Sequence, residues 1–358
     1  MRTVTVDAPS ARDAALEPGL RFSVVIPNYN YGHFIGAAVR SALALDWPSV
    51  EVIVVDDGST DDSLDVLDSF GDRITVLQQE NSGPRVACNR GFAVSHGDCV
   101  VFLDSDDQVD PSLAREVAGV WRHGVSKVQV EMRRVDSRGR ELGSIFPDLD
   151  ATPTPQQIRR WMVQTGAYPT PPGSGNVYSR DFLERLFPLD DSCGDATDSA
   201  CLAAAPLLGE VVTVSKPLVS YRVHDDNRSK LTDAARFTKQ IERAVQRHRF
   251  ALRVSGRTTD EKHLVRTLRR GRHLLQLRIA ERRLAPGGPA PVPGDSLPRL
   301  VGDVALSIFS PGPEPVGRRI AILGWSVATL VAPAPVARRL IERRFNPQRS
   351  TVDPVKHA

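Results

Sequence analysis

Two acidic stretches carry the residue types most able to do chemistry. Asp104-Ser105-Asp106-Asp107 directly follows the apolar run Cys99-Val100-Val101-Phe102-Leu103, and Asp56-Asp57 closes Glu51-Val52-Ile53-Val54-Val55. Apolar, partly β-branched runs of this kind read as buried strands of a parallel sheet. Ligands of open α/β sheets sit beyond the carboxyl ends of the strands, so both acid sets are expected at one crevice. Clustered carboxylates repel one another unless a cation neutralises them, and hard divalent ions favour such oxygen donors. A turn that merely caps the next helix is the simpler reading of either stretch alone. Two acidic ends on one sheet edge favour a site for a polar ligand and a metal ion.

The elements that must position these acids follow in chain order. Phe22-Ser23-Val24-Val25-Ile26 is the expected first strand, stopped by Pro27, and Ile35, Val39, Ala42 and Leu43 then recur at helical spacing. Gly58 permits a tight turn after Asp57, and Ser59, Thr60 or Asp61 can cap a helix running through Leu64 and Leu67. Arg73 to Leu77 is a third short strand, and Pro84 suits the first turn of a helix that reaches Ser95. Strands alternating with helices at this spacing imply an α/β fold, a doubly wound, mostly parallel sheet flanked by helices, with right-handed crossovers. No G-x-G-x-x-G follows the first strand, which disfavours a dinucleotide-binding Rossmann enzyme. G-x-x-x-x-G-K-[ST] and H-E-x-x-H are absent as well.

Four ordered motifs between Phe22 and Trp121 resemble the inverting family 2 glycosyltransferases of the GT-A fold. They are Val24-Val25-Ile26-Pro27-Asn28-Tyr29-Asn30, Val54-Val55-Asp56-Asp57-Gly58-Ser59-Thr60-Asp61, Asn81-Ser82-Gly83 through Asn89-Arg90-Gly91, and Phe102-Leu103-Asp104-Ser105-Asp106-Asp107. One departure is Cys88, where many members carry arginine before the asparagine, so a phosphate contact there is not carried over. The resemblance implies a nucleotide site built from Pro27, Asn28, Tyr29, Asn30, Asp56, Asp57, Gly83, Asn89, Asp104 and Ser105. Within it Asp57 would accept from the imide N–H of the base, supported by Asp56. Asp104 to Asp107 corresponds to the family's D-x-D element, which touches the ribose and holds Mn²⁺ or Mg²⁺ against the diphosphate. Asp106 is the first choice of metal ligand and Asp107 is nearly equal to it.

Further along, Lys127 to Met132 alternates as a half-buried strand and Ser137-Arg138-Gly139 reads as a hairpin turn. A proline-rich stretch with a short helix near Ile158 to Met162 leads to Thr170-Pro171-Pro172-Gly173-Ser174-Gly175-Asn176, expected to be flexible. By resemblance, Gly173, Ser174, Gly175 and Asn176 lie below the sugar and acceptor; an ordinary linker turn is the alternative. Inverting transfer needs a general base for the acceptor hydroxyl. The family carries it as an acid opening a helix after the D-x-D, which here points to Asp198, ahead of the apolar helix Leu202 to Leu208. Asp195 is the runner-up, and the family's usual Glu-Asp pair is missing. Two strands, Val211 to Val214 and Leu218 to Val223, then lead to Tyr221-Arg222-Val223-His224, followed by Asn227-Arg228-Ser229. This resembles a recurring end of the catalytic domain, in which His224 would complete the metal shell or touch the diphosphate.

Composition limits the remaining possibilities. The 358 residues carry a formal net charge of +3, which by itself does not suggest a nucleic-acid partner. Cys88, Cys99, Cys193 and Cys201 form no CxxC pair, so buried thiols of a cytoplasmic protein are expected. Residues 1–20 lack an apolar core and are expected to be a flexible start without a signal peptide. The catalytic domain is expected over residues 21–230, a solvated basic helical segment over 231–285 and a Pro/Gly-rich linker over 286–317. An amphipathic basic tail is expected over 318–358. Its apolar stretch from Ile320 to Val336 is interrupted by Pro333 and Pro335 and flanked by arginines. An interfacial segment drawn to anionic lipid fits it better than a crossing, with packing inside the protein as the alternative.

Taken together, the expected activity is metal-dependent, inverting transfer of a sugar from a nucleotide-diphosphate donor, of the UDP class, to a hydroxyl of a glycan or lipid-linked acceptor. The expected location is the cytoplasm, peripheral to the inner membrane face. A nucleotidyltransferase would share the acids and metal but calls for a Gly-rich basic phosphate loop that is missing. An inactive relative that binds glycans or partners is the other alternative.

Overall fold

The computed structural model describes residues 19–193, 197–224, 233–257, 260–288 and 290–345. Asp195, the Asn227-Arg228-Ser229 part of the last motif, and all but two residues of the expected flexible start lie outside the described residues.

Strands β1 (Phe22–Asn28), β2 (Val50–Asp56), β3 (Thr75–Gln78) and β4 (Cys99–Phe102) pair in parallel in the order β3-β2-β1-β4. Helices α1 (Gly32–Leu43), α2 (Ser63–Asp68) and α3 (Pro84–Val94) make the crossovers. The strands are apolar on both sides because both sheet faces are covered. Val24, Ile26, Val52 and Val54 pack with Ile35, Val39 and Ala42 of α1 on one face, while Val25, Val100 and Phe102 pack with Cys88 and Phe92 of α3 on the other. Gly91 is what lets α3 lie this close, since a β-carbon there would stand 2.4 Å from Val25 Cγ1. All four cysteines are buried.

Pro27 does not stop β1, which continues to Asn28 opposite Asp56. Alternate residues point to opposite neighbours. The Val25 carbonyl accepts from Leu103 on the β4 side and the Asn28 carbonyl from Asp57 on the β2 side. The position of Pro27 therefore points past the last β4 pairing, where no N–H is needed.

The second half of the sheet departs further from the sequence reading. β6 (Val125–Val135) and β7 (Glu141–Phe146) form the expected hairpin, with Gly139 at φ +80°. β6 is not half-buried. It lies between β8 (Asn176–Ser179) and β9 (Glu210–Arg222), so even Lys127 and Gln129 are buried. β8 runs antiparallel to both β4 and β6 and occupies the middle of the sheet, directly after the segment read as flexible. The two strands expected over 211–223 are one strand parallel to β6, in which a register shift near Pro217 absorbs Ser215 and Lys216. β5 (Gln108–Val109) closes the edge beside β9, ahead of the short α4 (Leu113–Ala118), and α6 (Arg180–Glu184) follows β8.

The basic region is helical: α8 (Ala234–Val254), α9 (Glu261–Arg270) and α10 (Arg272–Leu284). It is not a solvated pair of helices. Phe237, Ile241, Leu264, Leu268 and Leu277 share one core with Ile158 and Met162 of α5 (Pro155–Thr165) and with Ala200 and Ala204 of α7 (Thr197–Leu208). Arg278 is buried against Asp295 (2.6 Å twice) and Asp303 (2.7 Å), and Arg272 donates to the Ser307 carbonyl (2.9 Å) and to Glu314. These contacts anchor the stretch expected as a linker, which contains α11 (Leu297–Ser307). The tail forms α12 (Val316–Val331) and α13 (Ala334–Phe345), broken where Pro333 cannot continue a helix. Its inner face packs on the protein through Ile341 and through Phe345, whose ring lies 5.0 Å from that of Phe237. Among the described residues no helix is long and apolar enough to cross a membrane.

Candidate active site

The end of β4 and the turn after it bring Asp104, Asp106 and Asp107 together, with one oxygen of each within 4.8 Å of the others. The turn is tied by the Asp107 N–H on the Asp104 carbonyl (3.0 Å). Asp107 is buried: its Oδ1 accepts from the Arg222 N–H at 3.0 Å, and its Oδ2 has no hydrogen-bond partner among the described residues. Burial, then the charges of Asp104 and Asp106, push the Asp107 carboxyl well above the usual range. Asp104 meets solvent at the mouth of the crevice. The protein enclosing its other sides, then the charges of Asp106 and Asp198, push it up to about 7. A buried carboxylate oxygen without a donor, inside a three-acid cluster, is the environment a hard divalent cation would complete. The residues fit Mn²⁺ or Mg²⁺.

Asp106 Oδ2 lies 2.9 Å from His224 Nε2. The imidazole is itself packed by Phe34 (centroids 5.1 Å apart) and Tyr31 (5.8 Å), which come from the turn after β1 and the start of α1. His224 is thus joined to the acid cluster through Asp106, in a position to orient that carboxylate. The neighbouring Arg222 spans the base of the cluster, with Nε donating to the Asp106 carbonyl at 2.8 Å and its guanidinium 4.9 Å above the Phe34 ring.

At the end of β2 the two acids do different work. Asp56 is buried and faces inward, accepting from Asn28 Nδ2 (3.0 Å), Ser59 Oγ (2.6 Å) and the Ser59 N–H (3.0 Å). It ties the ends of β1 and β2 together, while Asn28 Oδ1 beside it is buried without a partner among the described residues. Asp57 accepts from Gln79 Nε2 (2.7 Å) and from the N–H groups of Ser82 and Gly83 (2.8 Å each), so it gathers the loop before α3. Gly83 takes φ +88° there, and Asn30 takes φ +56° while its Oδ1 caps the Thr60 N–H at 2.7 Å. Pro27 precedes this turn inside β1, Tyr29 is exposed on it, and Ser105 is buried within the acidic turn. Asn89 spends both ends of its amide on the Leu189 backbone, at 2.9 Å each, which makes it a structural bridge rather than a free nucleotide contact.

The segment expected to be flexible is the floor of the cleft. Gly173–Gly175 is a single 3₁₀ turn, with Gly173, Ser174, Gly175 and Asn176 all buried. Asn176 Nδ2 donates to the carbonyls of Pro171 (3.2 Å), Pro172 (2.7 Å) and Gly173 (3.1 Å). Ser174 Oγ accepts from the Asp104 N–H at 3.1 Å. A β-carbon at Gly173 would stand 3.7 Å from both Asp104 Oδ2 and Asp198 Cβ, so one glycine separates the acid cluster from the first turn of α7. Asp198 Oδ1 accepts from the adjacent Ser199 N–H at 2.7 Å.

Two cations that the sequence reading did not single out belong to this region. Lys127 Nζ donates to Thr170 Oγ1 and Asn176 Oδ1 (2.8 Å each) and to Gln129 Oε1 (3.1 Å). Arg247, read as part of a solvated basic face, is turned inward. Burial pulls its guanidinium down, and the charges of Asp198 and then Tyr168 oppose that shift. A lysine and a glutamine in a strand flanked by valines were the available signal for the first. The second had none.

The strand-end acid cluster thus lies beside a buried small-residue turn and a helix-borne carboxylate. A family model described as glycosyl transferase family 2 matches residues 23–187. An uncharacterized glycosyltransferase of Nostoc is 33% identical over 222 residues, which is 58% of this chain and 66% of that protein. Other curated relatives are matched over 28% and 32% of their lengths. Staphylococcus aureus TarS in complex with UDP-GlcNAc superposes with a TM-score of 0.53 at 19% identity, over 91% of both chains. A mannosyltransferase of Pyrobaculum calidifontis in complex with GDP-Man and Mn²⁺ gives 0.52 at 19% identity, over 92% of this chain and 87% of that one. The two structures share the fold. Residues 23–187 carry the glycosyl transferase family 2 domain.

Proposed function

We propose that the protein transfers a sugar, with inversion, from a nucleotide-diphosphate donor of the UDP class to a hydroxyl of a glycan or lipid-linked acceptor. The observation that carries this reading is the Asp104, Asp106, Asp107 cluster, with its partnerless Asp107 Oδ2, set one glycine away from Asp198. Residues 21–230 would be the catalytic unit. Asp106 and Asp107, with Asp104 at the mouth, would hold Mn²⁺ or Mg²⁺, and His224 would keep Asp106 oriented. Bound there, the cation would neutralise the charge that develops on the diphosphate leaving group.

The chain's own groups would do the rest. The loops gathered by Asp56 and Asp57 would frame the base and ribose. The backbone of Gly173 would admit the sugar closely, because its missing β-carbon leaves room between Asp104 and Asp198. Asp198 would accept the proton of the acceptor hydroxyl as its oxygen bonds to the anomeric carbon. The bond from that carbon to the phosphate oxygen would break, with its electron pair leaving on the nucleoside diphosphate. The basic C-terminal helices are consistent with work at the anionic cytoplasmic face of a membrane.

Calorimetric titration of UDP, with and without Mn²⁺, into wild type and Asp106→Ala tests the donor site. Metal-dependent binding that the substitution abolishes is expected. Binding of GDP or dTDP in place of UDP would change the donor class alone. No binding of any nucleotide would overturn the enzyme reading in favour of a glycan- or partner-binding relative.

A further inference from the structure

Outside the cleft, α9 and α11 border an open groove of about 930 Å³. Lys262, Arg266 and Arg270 line it at intervals of four residues, so they stand in one row along α9, and Arg299 of α11 adds a fourth cation. Two acids also line the groove, but both are engaged elsewhere. Glu261 takes Arg249 through both oxygens at 3.1 Å, and Asp303 takes Arg278 at 2.7 Å. Arg269 is occupied as well, by the Pro293 carbonyl and Asp295. Among the described residues the four remaining cations have no acid partner. Like charges at that helical spacing repel one another, so the row lowers its energy by taking up an anion.

The rim of the same groove is apolar. Leu306 is 67% exposed and Phe309 is 83% exposed, both lining it beside Val265. Leu297 and Val301 continue the exposed face of α11, and Val316, Ile320, Val327 and Val331 form an outward stripe on α12. Residues 297–345 hold seven arginines and three acids, and each of those acids is tied to an arginine: Asp303 to Arg278, Glu314 to Arg272 and Glu342 to Arg338. An uncompensated basic row beside protruding apolar side chains matches an amphiphile with an anionic head and a hydrocarbon body.

We propose that this groove docks the protein on an anionic lipid surface. The lipid phosphate lies among Lys262, Arg266, Arg270 and Arg299, and Phe309 and Leu306 enter the acyl boundary. The proposal rests on the membrane-surface part of the reading above and gives it a site separate from the donor cleft.

The test is co-sedimentation of the full chain with phosphatidylglycerol vesicles and, in parallel, phosphatidylcholine vesicles. Salt-sensitive binding to the anionic vesicles is expected. Arg266→Glu with Arg270→Glu, and separately Phe309→Ser, should each lower it by about tenfold or more. All these side chains are exposed, so thermal melting and UDP titration should be unchanged, which separates a failure here from a failure of the donor site. Equal binding to both vesicles, or anionic binding indifferent to these substitutions, overturns the proposal. Inorganic pyrophosphate binding equally well to wild type and Phe309→Ser, with no vesicle binding, makes the groove a site for soluble anions and also overturns it. So does a concentration-dependent dimer that Phe309→Ser dissolves.

Discussion

Lys127→Met tests the support beneath the cleft floor. Lys127 is 0% exposed, yet its Nζ reaches three side-chain oxygens and none of them belongs to a carboxylate. Burial drives the amine well below its ordinary range, while three acceptors match the three donors of an ammonium. Methionine preserves length and apolar packing but removes every donor. Each buried acceptor left dry costs ~1–3 kcal/mol. Thr170 Oγ1, 3.5 Å from Asn176 Oδ1, can turn to that oxygen and offset one loss. Removing a buried charge returns a further part. The expected net loss is ~2–4 kcal/mol. Urea unfolding near neutral pH, followed by tryptophan fluorescence, should show a lower midpoint with an unchanged slope. UDP titration with Mn²⁺ should give weaker but still metal-dependent binding, since Asn176 also holds the carbonyls of Pro171, Pro172 and Gly173. A variant as stable as wild type would refute the idea that Lys127 anchors the floor.

Two further perturbations probe the framework. In Gly91→Ala the new methyl would meet Val25 Cγ1 at 2.4 Å and Val55 Cγ2 at 3.2 Å, so α3 must lift from the sheet. Denaturant midpoints should fall by the equivalent of ~1–3 kcal/mol, and no loss would show that the helix has room to slide. His248 is 2% exposed, and neither ring nitrogen is hydrogen-bonded among the described residues; burial, then the charges of Arg247 and His263, hold it down at about 4. The folded protein keeps this ring neutral while the unfolded chain takes up a proton near pH ~6.5. Its effect is therefore absent above that pH, and stability falls by ~3 kcal/mol as the pH drops towards the folded value. His248→Leu should flatten that window in a series of melts, and an unchanged profile would place the acid sensitivity elsewhere.

How much of this was legible in the sequence depends on the range over which each feature is decided. The parallel half was open to reading because its signals are local. Apolar runs need both faces covered, and Gly58 and Gly83 mark turns with positive φ. Thr154 and Gln157, which form a capping box at the start of α5, are equally local. The antiparallel half was harder. Asn176–Ser179 is only four residues long and follows a Pro/Gly-rich stretch, so nothing nearby marks it as a central strand. The register shift in β9 looked like a turn because Ser215-Lys216-Pro217 has turn composition.

The sequence by itself determined the fold class, the family resemblance and the strand ends from which the acids project. Each follows from residue types a few positions apart. Tertiary structure alone decided which polar side chains stay free of the scaffold and which are consumed by it. Asp56 and Asn89 turn to backbone and side-chain partners up to a hundred residues away. Arg272 and Arg278 leave solvent for acids and carbonyls, whereas Lys262, Arg266, Arg270 and Arg299 find no acid to pair with among the described residues. Each is simply a charged residue in a charged stretch until packing sets its neighbours. A side chain's ionisation and reach depend on the groups that surround it in space, and local spacing along the chain does not encode those.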